Sequence, residues 1–427
     1  MGLCITTGLL GELEQAQTYA RTGLELALSV HDLWCANLVR LAHGSVLTAW
    51  GCHEEALPWL LEAEAGFAEC GDAFCLANVH LWLAMLYLRL ERKAEFAEKA
   101  TRLLHSVEEH GFHDLFVKRT LFGPSDLLMT VPFLIEARDR LGLESAEKVL
   151  RMMNCKGVDK HPGYTLRIST LGKFAVTRGL EEVARKEWKR EKSRQLFQLL
   201  VTRKGQLVQR DELCELLWPE MDEKTANRDF KVAMNALTHA IEPRREARSN
   251  CFFIERLDTA YRLNPDAAVW IDAVEFEKLA ESGLGAAALD PERAAAQLEA
   301  ALLLYQGDFL QDQPYLEWCS AERERLRTLY LRTLEALARL YQERGAHQEA
   351  VACCERILNK DASWEPAYQI LMACYHLLGN RSLVIASYKN CVAQLSDHLG
   401  LTPMPETTRL YQRLVRGAGN SAVTSVL

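Results

Sequence analysis

The chain has 427 residues, of which 49% are hydrophobic and 25% charged, with a net charge of −8. That length favours two to four domains over one, and the composition is that of an ordinary globular protein, which excludes collagen-like and low-complexity classes. The 13 cysteines are scattered singly, often inside apolar runs (Cys35, Cys374, Cys391), which argues against a disulfide framework and for a reducing cytoplasm. The longest apolar run, "LANVHLWLAMLYL" from Leu76, contains Asn78 and His80 and is too short to span a bilayer. The opening "MGLCITTGLL" lacks a basic n-region, so neither a signal peptide nor a membrane partner is expected. Charge is unevenly placed. Residues 164–264 hold 20 Lys and Arg against 15 Asp and Glu, a net of +5, which leaves −13 for the remainder. A basic module within acidic flanks points to a polyanion partner for the middle alone.

In chain order, residues 1–153 read as helical repeats. "GELEQA" ends at Ala16, "GCHEEA" at Ala56 and "RKAEFA" at Ala97, spacings of 40 and 41 that mark stacked helix pairs. They resemble tetratricopeptide-type repeats of the longer kind found in MalT-like regulators. Stacked pairs form a concave surface suited to an effector, either a protein or a small molecule. The pattern breaks at "LFGPSDLLMTVPFL" with Pro124 and Pro132. Residues 154–164, with Gly157, Pro162 and Gly163, read as a linker.

Residues 165–266 begin with "LRISTLGKFAVT", read as strands. Two helical patterns follow. "KSRQLFQLLVTRKG" places Leu196, Phe197, Leu199 and Leu200 on an apolar face, and "RDELCELLWPE" starts at an Asp211 N-cap and stops at Pro219. The third helix, "TANRDFKVAMNALTHAIEP", is the informative one. At 100° per residue, Phe230, Ala233, Met234, Leu237 and Ile241 share one side. Arg228, Lys231, Asn235, Thr238 and His239 take the other, interrupted by Val232 and read as free of carboxylates between Arg228 and His239. "CFFIERLDTAYRL" then reads as two short strands with a turn at 257–260.

Strands, three helices and a two-strand ribbon resemble a winged helix of the OmpR type, whose third helix would enter the major groove of promoter DNA. There amides read adenine, Arg or Lys read guanine, and cations pair with phosphates. On that resemblance the DNA-binding residues are Asn227, Arg228, Lys231, Asn235, Thr238 and His239 on the third helix, Lys192 and Arg194 at the start of the first, and Arg256 and Thr259 on the wing. Lys189 and Arg190 are further candidates for phosphate contact. The loop of Pro219, Glu220, Met221, Asp222, Glu223 and Lys224 would meet RNA polymerase. Thr238 stands where such relatives often carry Arg, so restoring Arg there is expected to strengthen binding to every duplex.

Residues 267–416 are helical again. "VWIDAVEFEKLA", "LYQGDFLQDQPYLEW" and "ERERLRTLYLRTLEALARLY" resemble the bacterial transcriptional activator domain of the antibiotic-regulatory (SARP) activators. Residues 417–427 read as a disordered tail. The fold class expected is mainly α: tetratricopeptide-like repeats flanking a small α+β winged helix. The function expected is sequence-specific DNA binding by a transcriptional activator that recruits polymerase, with oligomerisation on DNA compatible with it. The alternative is a tetratricopeptide-type protein-interaction scaffold with a degenerate winged helix. Neither a Cys-x-x-Cys pair nor a Ser-His-Asp set nor a phosphate-binding G-x-x-x-x-G-K-[ST] loop is readable, so no enzyme, metal or cofactor is expected.

Overall fold

The 40-residue period governs the first helices. In the computed structural model, which describes residues 1–246 and 249–417, these are α1 (Gly2–Leu9), α2 (Leu13–Ser29), α3 (Leu33–Ala49), α4 (His53–Cys70), α5 (Ala73–Arg89) and α6 (Lys93–His110). Each packs on its neighbour in sequence. Equivalent small or apolar residues recur every 40 positions at the helix crossings: Ala16, Ala56 and Phe96, then Ala20, Leu60 and Ala100, all buried. The third repeat is therefore in register through Phe96, and Ala97, expected at that position, lies one residue off it. Asp32 and Asp72 cap α3 and α5, accepting from the backbone N–H of Cys35 and Cys75 at 2.9 Å each. The turns repeat as well. Gly11 and Gly51 have φ of 83° and 81°, and the third turn forces Glu91 to φ 57°, a left-handed conformation that a residue with a Cβ rarely adopts.

After α7 (Asp114–Val117) come an irregular stretch, α8 (Val131–Leu141), with Pro132 in its first turn, and α9 (Glu144–Met152). Residues 154–164, expected as a linker, hold no helix or strand but are packed rather than slack. Cys155 is buried, the Val158 carbonyl accepts from Arg138 at 3.2 Å, and the His161 ring lies 4.6 Å from that of Phe252. Thr165 donates its backbone N–H and its hydroxyl to Asp126, at 2.5 and 3.1 Å.

Next come β1 (Leu166–Ser169), β2 (Ala175–Arg178), β3 (Glu181–Glu182), α10 (Glu191–Thr202), β4 (Val208–Gln209), α11 (Arg210–Leu217), α12 (Glu223–Ile241), β5 (Ile254–Leu257), β6 (Ala260–Leu263) and β7 (Val269–Ile271). One sheet has the order β3-β2-β1-β7, the other β4-β6-β5. The hairpin β5–β6 pairs Ile254 with Leu263 and Leu257 with Ala260, its turn closed by Asp258 at φ 52°. Gln209 pairs with Ala260, so α11 starts directly off the strand, with Gln209 as its N-cap. Asp211, expected as that cap, lies inside the first turn. The three helices pack on one another and the hairpin covers them, with the Phe230 and Tyr261 rings 5.2 Å apart. This is a winged-helix arrangement.

The rest is α13 (Asp272–Ala286), α14 (Pro291–Leu304), α15 (Ser320–Glu343), α16 (His347–Lys360), α17 (Glu365–Leu377), α18 (Arg381–Leu399) and α19 (Pro405–Gly417), each again against the next. The tail expected to be disordered lies, after Gly417, outside the described residues. By contact density the chain forms two units: residues 1–167 with 176–269, and residues 168–175 with 270–427. The repeats and the winged helix thus share one unit. In the other, the buried Asp272 carboxylate accepts from the backbone N–H of Thr170, Leu171 and Ala273 at 2.7–2.9 Å and from the Thr170 hydroxyl at 2.6 Å. Burial raises its pKa, and these bonds oppose the rise. Mainly helical, with tetratricopeptide-like repeats flanking a small winged helix, the fold is of the expected class.

Candidate nucleic-acid interface

Helix α12 is anchored at both ends. At its start, Asp222 accepts from Thr225 N–H at 3.1 Å, and hydrogen bonding to the Thr225 side chain and then to its backbone holds the Asp222 carboxyl below the usual range. The helix thus begins at Glu223, not Thr225, so Glu223 and Lys224 form its first turn and only Pro219, Glu220, Met221 and Asp222 remain in the exposed loop before it. At its end two carbonyls would lack partners. Arg178 donates to Ala240 O at 2.9 Å and Tyr164 donates its hydroxyl to Ile241 O at 2.7 Å. The Arg178 guanidinium also suits the negative end of the helix dipole, and Glu181 and Glu187 balance it at 3.1 and 2.9 Å.

Ala226, Phe230, Ala233, Leu237 and Ile241 are buried and Met234 is half-buried. Lys224, Arg228, Lys231, Asn235 and His239 are exposed at spacings of four, three, four and four residues, with Val232 beside them. That is one continuous stripe. Lys224, expected in the polymerase loop, stands four residues before Arg228 on this stripe. Asp229 qualifies the reading of an acid-free face: half-buried at its edge, it accepts from Arg228 Nε at 3.3 Å. Asn227 is half-buried and turns back to donate to Glu223 O at 2.9 Å.

Three expected contacts are not on a free surface. Thr238 is only 7% exposed; its hydroxyl donates to Asn235 O at 3.1 Å and accepts from Arg245 at 3.4 Å. The chain folds back after α12, and Arg245 covers the threonine. Lys192 donates to Leu217 O at 2.6 Å and lies 5.9 Å over the Trp218 ring, so it caps the end of α11. Burial lowers its pKa. Arg194 is buried and paired with Glu191 at 3.1 Å. At the same helix start, Lys189 and Arg190 are the exposed cations.

On the wing, Arg256 and Thr259 are exposed. Arg256 donates to Asp258 O at 2.8 Å and lies 5.8 Å over the Tyr261 ring, which holds its guanidinium against the hairpin. Thr259 donates to Gln209 Oε1 at 3.0 Å. Among the described residues no helix is long and apolar enough to cross a membrane, and no group of three or more His, Cys, Asp or Glu is placed to hold a metal ion.

Comparison with known proteins bears on part of the chain. It is 26% identical over 252 residues, 59% of its length, to the regulatory protein AfsR of Streptomyces griseus, and 26% identical over 133 residues to the transcriptional regulator RedD of Streptomyces coelicolor. These matches span 24% and 38% of those proteins. Both relatives are named as regulators. Among solved structures, Mycobacterium tuberculosis EmbR, determined in complex with a low-affinity phosphopeptide, matches 59% of this chain and 65% of its own with a TM-score of 0.51 and 23% identity, a likeness of fold. Residues 271–415 match the bacterial transcriptional activator domain.

Proposed function

We propose that the chain is a sequence-specific, double-stranded-DNA-binding transcriptional activator of the cytoplasm. In this reading residues 165–266 form an OmpR-type winged helix, residues 1–153 MalT-type repeats that take an effector, and residues 267–416 the activator domain. The observation that carries it is the stripe Lys224–Arg228–Lys231–Asn235–His239 on a helix packed to be exposed on that side alone. Its cations meet phosphates, and Asn235, near the centre, reads an adenine edge. Arg256 and Thr259 on the wing, with Lys189 and Arg190, add backbone contacts. The loop Pro219–Glu220–Met221–Asp222 faces RNA polymerase, and promoter repeats align more than one copy. In a gel-retardation assay with random duplex, the full chain should bind at low salt and release steeply as salt rises, because neutralised phosphates release counterions. A folded chain that does not bind at low salt would leave the scaffold reading in its place.

A further inference from the structure

The regular stacking of the repeats stops after α6. Where α3 and α5 stand in the earlier repeats, α7 has only four residues, and α8 packs on α5 and α6 in its place. A cavity of about 510 Å³ opens there, within the range of about 300–1,000 Å³ typical of small-molecule sites. Its apolar lining is Tyr87 and Leu88 from α5, Phe96 from α6 and Leu141 from α8. The Tyr87 side chain is only 5% exposed, yet its hydroxyl has no hydrogen-bond partner among the described residues. Burial raises its pKa, so the phenol stays protonated, a donor left facing the cavity without an acceptor.

This lining departs from the repeat. One period earlier the places of Tyr87 and Phe96 are taken by Leu47 and Ala56, and those of Glu91, Arg92 and Lys93 by Gly51, Cys52 and His53. Leu47 and Ala56 are buried as well, so packing alone accepts the smaller residues. At Glu91 the backbone opposes the side chain it carries: φ 57° suits the glycines of the first two turns and strains a glutamate. On the rim, Arg140 pairs with Glu136 at 2.7 Å. Glu91, Arg92 and Lys93 are exposed there and have no ion-pair partner among the described residues. Two cations against one carboxylate leave the rim positive. Arg92 and Lys93 are also the N-cap and first residue of α6, where the helix dipole adds to that sign.

We propose that this cavity binds an apolar carboxylate, an aromatic or acyl acid of a size to enter it. The apolar body lies against Phe96, Leu88 and Leu141, and the Tyr87 hydroxyl donates to an oxygen of the occupant. Arg92 and Lys93 hold the carboxylate at the mouth through charge-assisted bonds, which the apolar walls strengthen. The inference deepens the reading of residues 1–153 as effector-binding repeats by naming the class of effector. Occupancy of the cavity does not require that reading; an influence on duplex affinity does.

The test is calorimetry on the full chain at constant ionic strength, with cinnamate and decanoate as probes and decylamine as the cationic counterpart. Saturable binding of at least one carboxylate is expected, weakened about tenfold or more when Arg92→Gln and Lys93→Gln are combined, and less by Tyr87→Phe. Both cations are exposed, so the double variant keeps its fold. Glu91→Gly should tighten binding, because it removes a like charge from the rim, and raise the melting temperature, because it relieves the left-handed φ. Arg102→Gln, which removes an exposed cation of α6 paired with Glu98, should leave binding unchanged. Tighter binding of cinnamate identifies an aromatic acid, and tighter binding of decanoate an acyl acid. Absence of saturation with both carboxylates, equal affinity in the double variant, or decylamine bound as tightly as decanoate would overturn the proposal. Saturable binding that leaves duplex affinity unaltered would support the site and contradict the effector reading, so the two fail separately.

Discussion

Helix α5 is buried on every side from Ala77 to Tyr87, whereas α12 is buried on one side and leaves a polar stripe on the other. The two helices are of similar length and both are N-capped by an aspartate. They differ in what their polar residues do. In α5 the polar groups are absorbed: Asn78 donates to Phe74 O, and His80 meets Glu64, which also takes Lys99 at 2.6 Å. In α12, Lys231, Asn235 and His239 stand in solvent. Burial explains every residue of the first helix from Ala77 to Tyr87 and only half of the second. The rest of α12 is the side that we propose meets DNA.

The largest effect separates core from stripe. Leu83→Ala in α5, and Phe230→Ala or Leu237→Ala in α12, should each cost about 2–5 kcal/mol of stability in urea unfolding, because each empties a buried site. Asn235→Ala should leave stability nearly unchanged. It should cost about 1–3 kcal/mol on a preferred duplex and relax selection at one base position, since bidentate amide readout is directional. A selection experiment that returns the same site for Asn235→Ala would remove the distinction between the two helices.

Thr238 sharpens the comparison by crossing it. Substituting Arg, expected from the sequence to strengthen binding, should instead destabilise the fold by about 1–3 kcal/mol, since it forces a guanidinium into a buried position already covered by Arg245. Thermal melts check the sign.

Where the reading of the sequence stopped can be seen at such positions. Periodicity alone found the apolar side of α12, the Leu–Phe face of α10 and the hairpin with its turn, because each is a local pattern. The repeat period was legible too, down to a one-residue slip between Ala97 and Phe96. Thr238, Lys192 and Arg194 were misplaced for a different reason. Thr238 is covered by Arg245 folding back, and Lys192 is engaged by Leu217 O at the end of α11; Arg194 is buried at the packed start of its own helix. No helical wheel contains the first two contacts. Lys224 falls within α12 because Asp222, rather than a residue nearer Thr225, caps the helix. The packing of residues 154–164 on Phe252 and Phe253 was invisible in a stretch without periodicity.

A smaller effect concerns that packing. Burial lowers the His161 pKa to about 4, and that of His43, with Arg21 as a second cause, also to about 4. A histidine whose folded pKa is depressed favours the neutral form. Its contribution to stability is complete above the unfolded value near 6.5 and is lost as pH falls from there toward 4. Melting temperatures should therefore fall across that window, and His161→Phe should flatten part of the fall.

The salt dependence of duplex binding in two lysine variants tests the central claim most directly. Lys231 stands on the stripe with no ion-pair partner among the described residues, and Lys192 is engaged beneath α11. Lys231→Ala should reduce the log–log salt slope by about one unit and weaken all sequences alike, the mark of one lost phosphate contact. Lys192→Ala should leave the slope unchanged while lowering stability by about 1–2 kcal/mol through its lost carbonyl bond. An unchanged slope for Lys231→Ala together with a reduced one for Lys192→Ala would contradict the account, because DNA would then approach the chain from a face other than the exposed stripe of α12.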